Sequence, residues 1–261
     1  MSYIPNRRPG ARILAKVPKI TLLFWILKIV STGMGEAISD ALVYRFNPVL
    51  AVLAVFVIFL FALKLQFSKK KYIPGTYWFA VSMVAVFGTM AADAVHIVLG
   101  IPYIISSAAY ALALVIVFIG WYKTEGTLSI HSIYTRRREA FYWLAVLSTF
   151  AMGTALGDLF AFGFKLGFLT SGLIFLALFL VPTLIYLIFK WNEVFTFWFA
   201  YIITRPLGAS FADWFGKPRS VNGLGYGDAP VAIVLVIILI ILVIVAAKTH
   251  EEDPWKHPLE S

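Results

Sequence analysis

Four aspartates, Asp40, Asp93, Asp158 and Asp213, each stand fifteen residues after a tryptophan: Trp25, Trp78, Trp143 and Trp198. A glycine (Gly35, Gly88, Gly153, Gly208) follows each tryptophan by ten residues, and a small residue (Ser39, Ala92, Gly157, Ala212) follows it by fourteen. Four positions before the aspartates come Glu36, Thr89, Thr154 and Ala209. On a helix that spacing shares a face, so three of the four add an oxygen beside a carboxylate. Oxygen ligands suit hard cations such as Mg, Ca or Mn, and rings of Asp or Glu line cation pathways. Carboxylates brought close together cannot all stay ionised without shared cations or protons.

The elements that must hold these residues are apolar runs. Of the 261 residues 61% are hydrophobic, and the mean hydropathy is +0.88. Runs fall at about 20–44, 49–67, 76–99, 103–122, 140–164, 168–190, 194–216 and 230–247, each near the ~20 residues that cross a bilayer. This pattern predicts an all-α integral membrane protein, with a basic tail over 1–19, one membrane domain over 20–247 and a C-terminal tail over 248–261. The absence of cysteine excludes disulfides and thiolate metal sites. The net charge of +9 reads as loop charge rather than a nucleic-acid surface. Sixteen Lys and Arg fall on the side of the N-terminus and four on the other, which puts both termini in the cytoplasm.

The aspartates lie in the first, third, fifth and seventh runs, "FWILKIVSTGMGEAISD", "YWFAVSMVAVFGTMAAD", "YWLAVLSTFAMGTALGD" and "FWFAYIITRPLGASFAD", which align without a gap. The chain therefore reads as four tandem two-helix units, at about 20–70, 71–123, 138–190 and 191–247. All enter the membrane in the same direction, related by a four-fold or two-fold pseudo-axis along its normal. The even runs are almost wholly apolar and suit lipid contact, so the odd runs are expected to form an inner ring.

Each Gly and the small residue four later make a close-packing face. Each Trp suits an aromatic belt at the interface. The carboxylates lie ~22 Å farther across. Five carboxylates at the bilayer centre cost ~12–18 kcal/mol, as much as a whole domain's stability, which argues for a shallower position or a function.

The first and last units depart from the others. Lys28, Thr32, Glu36 and Asp40 form a stripe spaced by four, and Arg205 takes in the seventh run the place Thr32 has in the first. An Arg205–Glu36 pair follows from this register. Arg205, Lys28 and Pro206, which weakens its helix, are the candidate gate or ion pair, and Thr32, Thr89 and Thr154 the candidate path lining. His96, three residues after Asp93, reads as loop-facing before metal ligand. "GLGYGD", residues 223–228, contains the G-x-G-D of intramembrane aspartyl proteases, with Asp213 as the second carboxylate.

With one Trp per repeat, "TGMGEAISD" and "RPLGASFADWFGKP" resemble a bacterial membrane family labelled membrane-anchored protein or repeat of unknown function. The resemblance covers roughly 18–247. It implies four tandem two-helix repeats in a bacterial or archaeal plasma membrane, and supplies neither substrate nor functional residues.

The leading expectation is a non-enzymatic transporter or channel for a small cation, a divalent metal such as Mn or a proton-coupled ion. Asp40, Asp93, Asp158, Asp213 and Glu36 would bind the ion, with no cofactor beyond a bound divalent cation. The alternatives are a membrane scaffold with structural aspartates, and the protease.

Overall fold

The computed structural model describes residues 15–251 except Val98. Arg7, Arg8, Arg12 and Lys256, which weigh in the orientation argument, lie outside the described residues. Eight α-helices account for the described chain, with no strand among the described residues: α1 (Leu22–Arg45), α2 (Pro48–Ser68), α3 (Pro74–Ile97), α4 (Tyr103–Glu125), α5 (Arg136–Asp158), α6 (Gly167–Phe189), α7 (Glu193–Gly216) and α8 (Asp228–Glu251). The starts follow capping chemistry. Thr21 and Thr135 accept from the backbone N–H three residues on, and Asn47 and Asn192 do the same for α2 and α7. Gly126, with φ +69°, ends α4. A π-helical turn, Leu159–Gly163, continues α5 directly after Asp158.

Among the described residues, seven helices are long and apolar enough to cross a membrane, and the chain is a multi-pass membrane protein by that measure. The eighth, α7, carries Arg205 and Asp213, both buried inside the bundle.

The odd helices form a closed ring. α1 packs on α3 and α7, and α5 packs on the same two. The even helices lie outside it, with residues such as Leu53, Val57, Ile116, Ile188, Ile233 and Ile241 exposed. Apolar surface on this scale calls for lipid. Each even helix seats mainly on the odd helix that follows it: α2 on α3, α4 on α5, α6 on α7, and α8 on α1. Neighbouring sequence units are thereby interlocked, and α8 closes the ring on the first helix.

The repeated glycines sit where ring helices meet. A Cβ on Gly35 would lie 2.5 Å from the Ala85 Cβ, and one on Gly88 2.8 Å from the Phe150 Cβ. A Cβ on Gly208 would stand 2.8 Å from the Ile29 carbonyl oxygen, on the backbone of α1 itself.

Two expectations are corrected. Trp78, Trp143 and Trp198 are buried in the bundle and not spread in a lipid-facing belt; Trp25 alone is partly exposed. They pack on Phe24, Tyr77, Tyr142 and Phe197, because the inner ring encloses them before lipid reaches them. The tail expected over 1–19 also ends early. Val17 joins the core, and buried Lys16 binds Glu139, whose other oxygen accepts from Gln66 at 3.0 Å. A salt bridge and a backbone bond from Lys16 N–H to the Ile133 carbonyl (2.9 Å) hold this segment to the bundle.

Candidate functional site: a buried guanidinium below a carboxylate cluster

The ring's centre is held by Arg205, fully buried on α7. Its Nη2 donates to Glu36 Oε2 on α1 at 2.5 Å, to Thr154 Oγ1 on α5 at 2.8 Å, and to Thr89 Oγ1 on α3. One guanidinium thus ties together all four ring helices. Nη2 has two N–H groups and three acceptors, so one hydrogen is shared. The threonine hydroxyls spend their own hydrogens on the Ala85 and Phe150 carbonyls, at 2.9 and 3.0 Å, which leaves their oxygens free to accept. The repeat register explains the convergence: Glu36, Thr89 and Thr154 are equivalent positions, and the fourth is Ala209, which leaves room for arginine one turn earlier. A Cβ on Gly153 would strike Arg205 Cγ at 2.5 Å, so this glycine makes the space in which the side chain lies.

Thr32 does not line a path. It is fully buried and its hydroxyl lies 3.0 Å from the Thr204 carbonyl and 2.7 Å from that of Ile29, bridging α1 to α7. α7 runs through Pro206 without a break. Lys28 is also corrected. Among the described residues it makes no ion pair and its Nζ has no hydrogen-bond partner; Nζ lies 4.0 Å from the Phe150 ring centre and 4.2 Å from that of Tyr201. Glu36, the nearest acid on its own stripe, is taken by Arg205.

One turn beyond Glu36, toward the end of the bundle opposite the tryptophans, lie the aspartates. Asp40, Asp93, Asp158 and Asp213 are each within electrostatic range of Glu36. Asp213 is buried, and the other three keep partial solvent exposure. Oxygens of Glu36, Asp40 and Asp213 lie within 4.8 Å of one another. Two oxygens sharing a hard cation at ~2.0–2.6 Å lie at most ~4–5 Å apart, so this trio fits one ion with little movement.

Sequence reasoning counted Lys217 as loop charge, yet it is the cation of this carboxylate cluster. It donates to Asp40, and its Nζ is 3.5 Å from Asp228 and 3.9 Å from Asp213. The i,i+4 spacing of Asp213 and Lys217 was the available signal. The segment after α7 is strapped back over the helix end: Leu224 N–H donates to the Trp214 carbonyl at 2.6 Å, Gly225 to Lys217 at 2.9 Å and Gly227 to Gly216 at 2.9 Å. Gly225 and Gly227 have φ of +83° and +88°, which this turn requires. Burial pulls the Lys217 ammonium down, but Asp40, Asp213 and Asp228 outweigh it and hold its pKa above the ordinary lysine range.

Asp93 and Asp158 make no hydrogen bond or ion pair among the described residues. His96 bonds the Ile101 carbonyl, in the loop before α4, through Nδ1 at 2.6 Å and stacks on Tyr103 at 3.6 Å between ring centres.

Three segments, residues 76–127, 141–191 and 196–251, match the family model described as Repeat of Unknown Function (DUF347). They are the second, third and fourth units. The first, with Lys28 and Glu36 where the others carry uncharged residues, is not among the matched segments. No curated protein and no solved structure matches the chain. With more than half of its length matched by the model, the chain belongs to the DUF347 repeat family.

Proposed function

We propose that the protein is a membrane transporter for a hard divalent cation such as Mn, which binds at Glu36, Asp40 and Asp213 with Asp93 and Asp158 as attracting charges. In this reading the Trp end is cytoplasmic, the vestibule opens outward, and the four units stand around a pseudo-four-fold axis along the membrane normal. The observation that carries it is the shared carboxylate: Glu36 belongs both to the trio that fits an ion and to the pair that holds Arg205.

Binding and gating are coupled through that carboxylate. A divalent ion on Glu36 draws electron density from its oxygens and weakens the bond to Arg205. The same ion repels the Lys217 ammonium from Asp40. Arg205 then loses its carboxylate partner, and the link between α1 and the rest of the ring loosens. Pro206, which lacks an N–H for the helical ladder, marks where α7 yields. The Arg205 plug fits a carrier that opens on binding better than a permanently open channel, since a fixed buried cation opposes cation passage along the axis.

A scaffold with structural aspartates is favoured by one observation, the neutralisation of Asp40 by Lys217. The ammonium between Asp213 and Asp228 weighs against the protease, whose carboxylates share a proton directly. Equilibrium binding of Mn(II) to the purified protein, read by the loss of the free-ion paramagnetic resonance signal, separates these readings. The transporter gives a saturable site that Asp40→Asn and Asp213→Asn weaken; a scaffold gives none.

A further inference from the structure

The ring is tied a second time, at the Trp end. Tyr77, Tyr142 and Tyr201, one from each of α3, α5 and α7, are fully buried and meet inside it. The Tyr77 and Tyr142 hydroxyls bond each other, and those of Tyr142 and Tyr201 are 3.5 Å apart. The segment that leads into α1 binds beside this layer, at the helix starts. The Ala15 carbonyl accepts from Tyr72 N–H, just before α3, at 2.9 Å, and Lys16 N–H donates to the Ile133 carbonyl, just before α5, at 2.9 Å. The Lys16 ammonium binds Glu139 in the first turn of α5, and Gln66 from α2 donates to the other Glu139 oxygen at 3.0 Å. Lys16, Val17 and Pro18 are buried, and Val17 packs in one core with Tyr72, Tyr77, Ile133 and Tyr142. The fourth ring helix joins through the same loop: Trp198 Nε1 of α7 donates to the Leu128 carbonyl at 2.9 Å, and His131 Nε2 lies 3.1 Å from Glu193 Oε1. Since α1 and α5 stand on opposite sides of the ring, Val17 to Thr21 carry the chain from the start of one to the start of the other.

We propose that Ala15–Thr21 is a clasp that closes the Trp end, and that it comes away before an ion taken up at the carboxylate cluster can leave on that side. The inference rests on the transport reading and adds its second gate. A carrier that moves an ion from one face to the other opens its two ends in turn, and the end away from the carboxylates is the one held shut here. With the clasp in place, the starts of α1, α3 and α5 are bound to one another through Tyr72, Ile133 and Glu139. With it released, those links are gone and the ring helices are free to part where the tyrosines meet.

The ties suit release. The segment before Leu22 is not helical until α1 begins, so no helical ladder breaks when it leaves. Water can take over both backbone bonds at a net cost of about 1 kcal/mol each. The Lys16 and Glu139 charges regain their hydration on opening, which offsets the loss of the ion pair. The sizeable apolar side chains brought into water are those of Val17, Pro18 and Ile20. A seal made of a packed helix would expose far more.

The chain has no cysteine, so introduced thiols are the only ones present. Ala15→Cys and Tyr134→Cys stand at exposed positions on the clasp and beside Ile133, and leave Lys16 and Glu139 in place. A short bis-methanethiosulfonate reagent joins the two thiols through disulfides that a reductant removes. The full-length double variant is joined, reconstituted in liposomes and assayed for Mn(II) uptake before and after reductant; Mn(II) binding is titrated on the joined protein in micelles. The expected result is unchanged Mn(II) affinity, uptake cut at least about tenfold while joined, and recovery on reduction. Either thiol alone, treated in the same way, leaves uptake at the wild-type rate. A second variant, Val17→Cys, reads the opening without transport: Mn(II) speeds its labelling by a water-soluble maleimide several-fold. Uptake by the joined protein at the reduced rate overturns the clasp as a gate and leaves the transporter, as does Val17→Cys labelling indifferent to Mn(II). Loss of Mn(II) affinity on joining overturns it too, because the block then lies at the carboxylates. Wild type that neither binds nor admits Mn(II) overturns the transport reading, and the gate falls with it.

Discussion

Arg205 and Glu36 lie 169 residues apart in the chain and meet at the centre of the ring, Nη2 to Oε2 at 2.5 Å, both shielded from solvent. A buried pair of this kind contributes little net stability over an apolar replacement, but removing one partner leaves an uncompensated charge. Arg205→Met is expected to destabilise the protein by about 3–5 kcal/mol, and Glu36→Gln in the same chain to restore much of the loss. Thermal unfolding of the two single variants and the double variant in detergent checks this.

Close approach at the repeated glycines predicts a graded series. Gly208→Ala meets the Ile29 carbonyl oxygen at 2.8 Å, and Gly153→Ala meets Arg205 itself. Each is expected to cost about 1–3 kcal/mol. Gly157→Ala, with its nearest neighbours at 3.9 Å, should be within error of wild type. The order of melting temperatures decides it.

The Lys217 ammonium stands among Asp40, Asp213 and Asp228, so in the transport reading it competes with the cation for these carboxylates. Lys217→Met is expected to tighten Mn(II) binding by about tenfold or more, the equivalent of ~1.4 kcal/mol. Titration of wild type and variant tests this; unchanged affinity would remove Lys217 from the site.

The same group sets a pH expectation. Its folded pKa is raised above the unfolded value, about 10.4, so its contribution is fully present below that value. It is lost only as pH rises through the still higher folded pKa. The stability difference between wild type and Lys217→Met should therefore shrink in strong alkali. Melting curves over a pH series report it.

At the opposite end, Lys16 and Gln66 hold Glu139. Glu139→Ala strands a buried ammonium and frees the segment before α1. Trypsin should then cleave after Lys16 or Lys19 faster than in wild type, with fragments identified by mass.

Much of this architecture was legible because the tryptophan-to-aspartate spacing repeats without a gap, so a single alignment gave helix direction, the ring face and the level of the carboxylates. The Arg205–Glu36 contact followed from register alone, since Arg205 stands where Thr32 stands and Ala209 where Glu36 stands. What the spacing did not give was the partner of each outer helix. A helix apolar all round has no moment to show which neighbour it seats on, and between lipid-facing helices packing shape decides where hydrophobicity is uniform. The Tyr77–Tyr142–Tyr201 cluster was hidden for a related reason. Two of the three fall in the aromatic position before Trp, where a buried hydroxyl and a belt residue look alike. Lys28 was misjudged because the stripe on α1 shows Glu36 nearby and not that Arg205 has taken it.

The most direct test of the central claim is uptake of Mn(II) into proteoliposomes, wild type against Asp40→Asn and Asp213→Asn, with both variants shown to keep the wild-type fold. Saturable uptake by wild type that either substitution cuts at least about tenfold is the predicted result. Folded wild type that admits no Mn(II) under any imposed gradient, or uptake indifferent to both substitutions, would contradict it.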